Sequence, residues 1–335
     1  ISGQVDDLFA LCRHLQRALH LHPSIASKAE RGYRLFTNEP IRPFRAKALP
    51  LDAEMRPVEA FRHIALSCLE QFQRNEPGLL AGGEAEFIHQ ARVALRRLRS
   101  AIKLFSPVLP TEFVTIYGQS WQTLASALGE ARNWDVFLEE TLPELQASFP
   151  HHHEIRKLRR EAERRVVSAR RSILKLMAVK EYPQLLLEFT AAVHGLCDGT
   201  DGPTLPELAT ERIAVHVRSV KKMAVRYAEL NTEERHKMRL RFKKLRYAME
   251  FMLPLLPVRR MKGYLAALSE LQEQLGRVND QVTARLLIDE VLSTHSGSGR
   301  GSLAVGWVAG REALLFESLP QKLEAWLKLK EDFAG

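Results

Sequence analysis

Apolar residues recur at three- and four-residue intervals along most of the chain, with Ala, Leu, Glu, Lys and Arg between them, while two-residue alternation is scarce. Such spacing lines one face of a helix rather than one face of a strand, and it predicts an all-α fold. Helices are expected at about 5–20, 57–74, 84–106, 111–130, 132–147, 152–178, 181–197, 206–229, 232–253, 258–277, 279–293 and 303–329. Breaks are expected at Pro40 to Pro57, Glu76 to Gly83, Asp198 to Pro206 and Ser293 to Ser302, where Gly, Pro, Ser and Asp cluster.

Two stretches align without gaps. FIHQARVALRRLRSAIKLF places His89, Arg92, Arg96, Arg97, Leu98 and Arg99 at the offsets that ERHKMRLRFKKLRYAMEFM gives to His236, Arg239, Lys243, Lys244, Leu245 and Arg246, 147 residues later. The glycine of a Leu-Gly pair, Gly129 or Gly276, stands 40 residues after each histidine. An internal duplication accounts for this register and predicts two related antiparallel helical bundles with pseudo-twofold symmetry.

On a helical wheel, His89, Arg92, Arg96, Arg99 and Lys103 fall within an arc of about 80°, and Ala91, Leu95, Leu98, Ile102 and Phe105 lie on the far side. Arg97, about 80° from His89, stands at the margin of this stripe, on its outer face. The second copy repeats the stripe with His236, Arg239, Lys243 and Arg246, although Glu250 replaces the last cation. An ordinary solvated face mixes signs at i and i+4, because like charges at that spacing are destabilising. Two single-sign stripes in one register therefore point to a bound anion. Arg218 and Lys222, opposite an apolar face of Ile213, Val217, Val220 and Ala224, extend the candidate wall.

Charge distribution sharpens this picture. The chain of 335 residues carries a formal net charge of +9, and residues 212 to 246 alone hold twelve Lys/Arg against three Glu. A polyanionic partner follows, whether nucleic acid, acidic membrane or phosphate polymer. Three widely spaced cysteines support neither a disulfide framework nor a clustered metal site, and fit a reducing cytoplasm. No apolar run approaches the roughly 18 residues of a membrane helix, and no signal peptide opens the chain. Arg or Lys at i+3, i+7 and i+10 from each stripe histidine would repel a metal cation. Arg132, Asn133 and Asp135, with Asn279 and Asp280, are expected to cap a following helix or to pair with stripe arginines. The chain contains no P-loop, nucleophile elbow or HExxH pattern. RNA or DNA binding remains open on charge alone, but the stripes offer almost no aromatics for base stacking, Tyr247 excepted.

The pattern H-x-x-R-x-x-x-[RK]-[RK]-L-R, continued by LGEARNWDVF and LGRVNDQV, resembles the repeated signature of the CHAD family, the conserved histidine α-helical domain, over about residues 56 to 335. The resemblance implies two helical bundles around a basic central cavity that binds inorganic polyphosphate, with no catalysis, no cofactor and no metal. It also implies association with polyphosphate granules in the cytoplasm. By motif match it assigns polyphosphate contact to His89, Arg92, Arg96, Arg99, His236, Arg239, Lys243 and Arg246. Upstream, SKAERGYRLF at 27 to 36 is similar to the end of a CYTH triphosphate-tunnel domain, whose catalysis needs an E-x-E-x-K strand that is absent from this chain. The expected organisation is a CYTH remnant at 1–49 and CHAD halves at 50–200 and 201–335. The rival functions are a helical RNA- or DNA-binding protein and a triphosphatase whose activity resides in a missing CYTH portion.

Overall fold

The structure, a computed structural model, describes residues 3–49, 51–199, 202–296 and 302–329. It is all-α, with no strand among the described residues. Helices run α1 (Val5–Ala18), α2 (Lys28–Thr37), α3 (Pro57–Leu80), α4 (Ala85–Leu104), α5 (Thr111–Ser120), α6 (Gln122–Val136) and α7 (Leu142–Ser148). There follow α8 (His153–Ala178), α9 (Glu181–Gly195), α10 (Leu205–Ala224), α11 (Thr232–Met252), α12 (Val258–Ser296) and α13 (Leu303–Leu327). By compactness the chain forms two units, one of Ile1–Arg132 with Ser168–Leu205, the other of Asn133–Val167 with Pro206–Gly335. The unit boundaries fall inside α6, inside α8 and at the first residue of α10.

In the first unit, α3 and α4 form an antiparallel hairpin. Phe61, Ile64, Ala65, Cys68 and Phe72 of α3 and Ala91, Ala94, Leu95, Leu98 and Ala101 of α4 are fully buried. Their turn depends on glycine twice. Gly82 holds φ at 67°, and a Cβ on Gly78 would lie 2.2 Å from the Phe87 ring, so any side chain there would displace the hairpin's closing contact. Aromatic rings continue the core through Trp121 of the α5–α6 corner to Phe189 of α9, whose centroids lie 5.4 Å apart. The segment 3–49 packs on this same unit: Arg13 of α1 pairs with Glu188 of α9 at 2.7 Å.

The second unit builds its core from Trp134, Phe137, Leu142, Leu145, Leu158, Ile288 and Val308. Trp326 of α13, fully buried, lies 5.3 Å from Phe242 of α11 and 5.6 Å from Tyr264 of α12. The start of α13 is fixed by Ser302, whose hydroxyl caps Val305 N–H, and by Glu154 of α8, which accepts from Ser302 Oγ and Ala304 N.

Several expected boundaries move. The break expected between 277 and 279 is absent, because α12 continues through it to Ser296. The expected 111–130 helix is divided at Trp121, and the expected 132–147 helix has no start of its own: its first residues continue α6, and a π turn, Phe137–Thr141, then leads into α7. Pro77 does not end α3, which gives up one backbone bond there and runs on to Leu80. α2, which buries no residue, was not among the expected helices. The break at 293–302 lies largely outside the described residues.

Candidate functional site

α4 carries the first stripe. With one side packed on α3, the opposite side leaves His89, Arg92, Arg96 and Arg99 half-buried and Lys103 exposed. Burial first, then the charge of Arg132 on α6, with Arg96 and Arg92 adding and Glu86 opposing, pushes the His89 imidazole below its ordinary value. Its Nδ1 is buried with no hydrogen-bond partner. Arg99 donates through Nη2 to Gln122 Oε1. Burial lowers that guanidinium too, and its Nε is buried with no hydrogen-bond partner. Gly129 of α6 lies beside this stripe: a Cβ there would meet Arg92 Nε at 3.6 Å, an ordinary contact.

Arg97 departs from expectation. It is not an outer-face residue: it is 3% exposed, and its Nη1 donates to Gln71 Oε1 on α3 at 3.1 Å. Gln71 Nε2 in turn donates to Gln90 Oε1, and Gln90 Nε2 to Glu86 Oε1. A cation at one end and a carboxylate at the other terminate a buried chain of amides between α3 and α4.

α11 carries the second stripe. Its start is fixed by a reciprocal capping box in which Asn231 Oδ1 accepts from Glu234 N and Glu234 Oε2 from Asn231 N, each at 3.0 Å. Arg239 and Lys243 are half-buried, and His236, Arg246 and Glu250 are exposed. The little burial His236 has, followed by Arg239 and Lys243, lowers its imidazole. Arg246 donates to Tyr247 Oη at 3.1 Å and lies 4.9 Å from that ring.

Arg218 and Lys222 of α10 are exposed, opposite the buried Ile213, Val217 and Val220. Sequence reading passed over two neighbours on α10. Burial first, then Arg212 and Lys244 of α11, push the half-buried His216 imidazole down to about 4. Arg212 and His216 stand at i and i+4, the same spacing of cationic residue types that drew attention to α4. Arg241 ties α11 to α10 by donating to Ser219 Oγ and O at 2.8 and 3.1 Å.

The cap role expected at the Leu-Gly elements fails. Arg132, Asn133 and Asp135 lie inside α6 or at its last turn, and Asn279 and Asp280 lie inside α12, so none of them stands at a helix start. Arg132 instead acts electrostatically on His89, and Asn279 Nδ2 donates to Thr283 Oγ1 at 3.2 Å.

Chemically, each stripe is a row of guanidinium or ammonium donors with an imidazole held near neutrality. Arginine forks meet phosphate oxygens two at a time, and partly buried cations gain more from an anion than fully hydrated ones. Among the described residues no group of three His, Cys, Asp or Glu is arranged to hold a metal, and no helix is long and apolar enough to cross a membrane.

The CHAD domain family matches residues 63–289. The crystal structure of the CHAD domain from the plant Ricinus communis is 30% identical, with a TM-score of 0.74, covering 87% of this chain and 98% of that one. PptA from Streptomyces chartreusis, 15% identical, shares the fold with a TM-score of 0.60 over 82% of this chain and all of its own. No curated protein matched. A family match over more than half the chain, with a helical signature repeated in register, makes this protein a member of the CHAD domain family.

Proposed function

We propose that this CHAD protein binds inorganic polyphosphate through His89, Arg92, Arg96, Arg99 and Lys103 of α4 and through His236, Arg239, Lys243 and Arg246 of α11, with Arg218 and Lys222 of α10 extending the surface. The observation that carries the reading is the in-register repeat of a one-sign stripe on helices whose other sides are packed: Leu95, Leu98, Phe242 and Leu245 are at most 1% exposed. Like charges so aligned repel one another. A linear phosphate chain, with one charge per unit, relieves that repulsion at several points, each charge-assisted contact contributing about 1.5–3 kcal/mol.

Nucleic acid is the weaker reading, because Tyr247, the aromatic that could have stacked on a base, is 2% exposed. Binding without turnover is the proposed activity, since the stripes carry no carboxylate pair to hold a catalytic ion. Association with polyphosphate granules would follow from the same contacts. Residues 1–49, read as the end of a CYTH domain, have only SKAERGYRLF in support.

Competition among long-chain polyphosphate, tripolyphosphate, RNA and duplex DNA at near-physiological salt tests the proposal. Long-chain polyphosphate is expected to win, with an affinity that falls steeply as salt rises, because each neutralised phosphate releases counterions. Preference for RNA, or an affinity indifferent to salt, would overturn it.

A further inference from the structure

A pocket remote in sequence from both stripes lies within the first unit, where residues 22–44 wrap the C-terminal end of α3. It encloses about 740 Å³, a volume typical of small-molecule sites. Consecutive side chains of α3 tie the wrapping segment down. Gln73 Nε2 donates to Pro23 O at 3.2 Å, and Arg74 Nη1 to Glu30 Oε1 at 2.8 Å. Asn75, fully buried, accepts from Phe44 N–H and donates to Phe44 O. α2 contributes one wall without packing down, since none of its residues is buried. The pocket is therefore framed by fixed contacts and left unfilled by the chain's own side chains.

Its lining is two-sided. Ile25, Ile41, Phe44 and Leu80 supply an apolar surface, and Arg31, Arg34 and Arg42 supply cations, set against the carboxylates of Glu39 and of Glu30, which is paired with Arg74 and also feels Arg34. Glu76 completes the wall. It is 6% exposed, accepts from Tyr182 Oη and stands 3.5 Å from His22 Nε2. Burial pushes its carboxyl up to about 8, so near neutral pH it brings less negative charge to the wall than an ordinary carboxylate.

We infer that this pocket binds a small organic anion with an aromatic or acyl body, the chemistry that nucleoside phosphates and medium-chain carboxylates share. Its anionic end meets Arg31, Arg34 and Arg42, and its body lies against Phe44 and Leu80. An inorganic phosphate chain, which has charge and no body, leaves the apolar half unused and is not the ligand here.

Calorimetric titration of the protein with ATP and, separately, with decanoate distinguishes the two sources. One of them is expected to bind, and the Arg34→Ala/Arg42→Ala double variant is expected to weaken it at least about tenfold. Leu80→Trp, at an exposed rim position, should obstruct the pocket without touching the cations and weaken the same ligand. The Arg92→Glu/Arg239→Glu variant, which tests the polyphosphate proposal, should leave it unchanged. Failure of both probes to bind overturns the inference. So does binding that survives the two pocket changes, or ATP binding lost only with the stripe variant.

Discussion

Arg97→Ala probes the buried amide chain between α3 and α4. The guanidinium is 3% exposed and its Nη1 meets Gln71 Oε1, an acceptor on a residue with no exposure at all. Truncation removes a charge-assisted bond and leaves that oxygen short of a donor in a space water does not reach, a cost of about 1–3 kcal/mol. Loss of the packed aliphatic stem raises the total to about 2–4 kcal/mol. At about 2–4 °C per kcal/mol for units of this size, the melting temperature should fall by roughly 5–15 °C. Arg97→Glu should cost more, because it places a carboxylate against the same acceptor and leaves it buried without a cation. Urea unfolding followed by far-ultraviolet circular dichroism measures the loss, and polyphosphate titration of the folded variant measures function, expected to be unchanged. A midpoint equal to that of wild type, or a binding defect in a protein of normal stability, would refute the assignment of Arg97 to the core.

The stripes respond in the opposite way. Arg92→Glu and Arg239→Glu are each expected to weaken polyphosphate binding by more than about 1.5–3 kcal/mol while the ligand-free melting temperature holds, measured by titration and thermal unfolding; wild-type affinity in both would remove the stripes from the site. Because His89 and His236 are held below the ordinary imidazole value, a polyanion that favours their charged form should bind with proton uptake, and affinity should rise as pH falls from about 8 to 6. Titrations in buffers of different ionisation enthalpy detect that uptake, and a flat pH profile would count against contact with either histidine. Without ligand the sign reverses: a depressed histidine contributes stability above the unfolded value of about 6.5, and for His216 that contribution is lost as pH falls towards about 4, so His216→Gln should flatten the acid limb of the melting curve. Glu76 is the contrary case, raised from 4.5 to about 8, so its contribution is full below 4.5 and lost as pH climbs through 8. Glu76→Gln, which keeps an acceptor for Tyr182, should raise the melting temperature above pH 8 relative to wild type; an unchanged alkaline limb would show that the carboxylate is already accommodated.

The all-α character was legible because the 3.6-residue period survives in α3, α4, α10 and α11, whose buried positions match the apolar spacing. Both stripes were legible for the same reason, as the polar complement of those faces. Arg97 was not, because its partner Gln71 lies 26 residues away on another helix and no local pattern announces it. α2 escaped because its ten residues contain Gly32 and only the short apolar run at Tyr33, Leu35 and Phe36, too little for three- and four-residue spacing to show. In α12, Gly276 with Asn279 and Asp280 suggested a stop, yet Leu275 and Val278 are buried and packing carries the helix onward. The pocket at Glu76 had no linear signature at all: Arg31, Arg34, Phe44 and Leu80 meet only once residues 22–44 are tied to α3.

The discontinuity of the two compact units bears on how the chain is made. Residues through Arg132 leave the ribosome before Ser168–Leu205, so the first unit must wait, with α9 still unmade, while the thirty-five residues of Asn133–Val167 emerge without the later residues of their own unit. Until α9 arrives, Trp121, Phe113 and Phe72 lack the Phe189 and Tyr182 rings that complete their cluster. A nascent chain arrested between Val167 and the start of α9 would thus carry two unfinished apolar surfaces at once, a state in which a holding chaperone has most to offer. The same weave means that a fragment ending near residue 200 would retain Asn133–Val167 without α12 and α13, leaving Trp134, Phe137 and Leu158 without Ile288 and Val308.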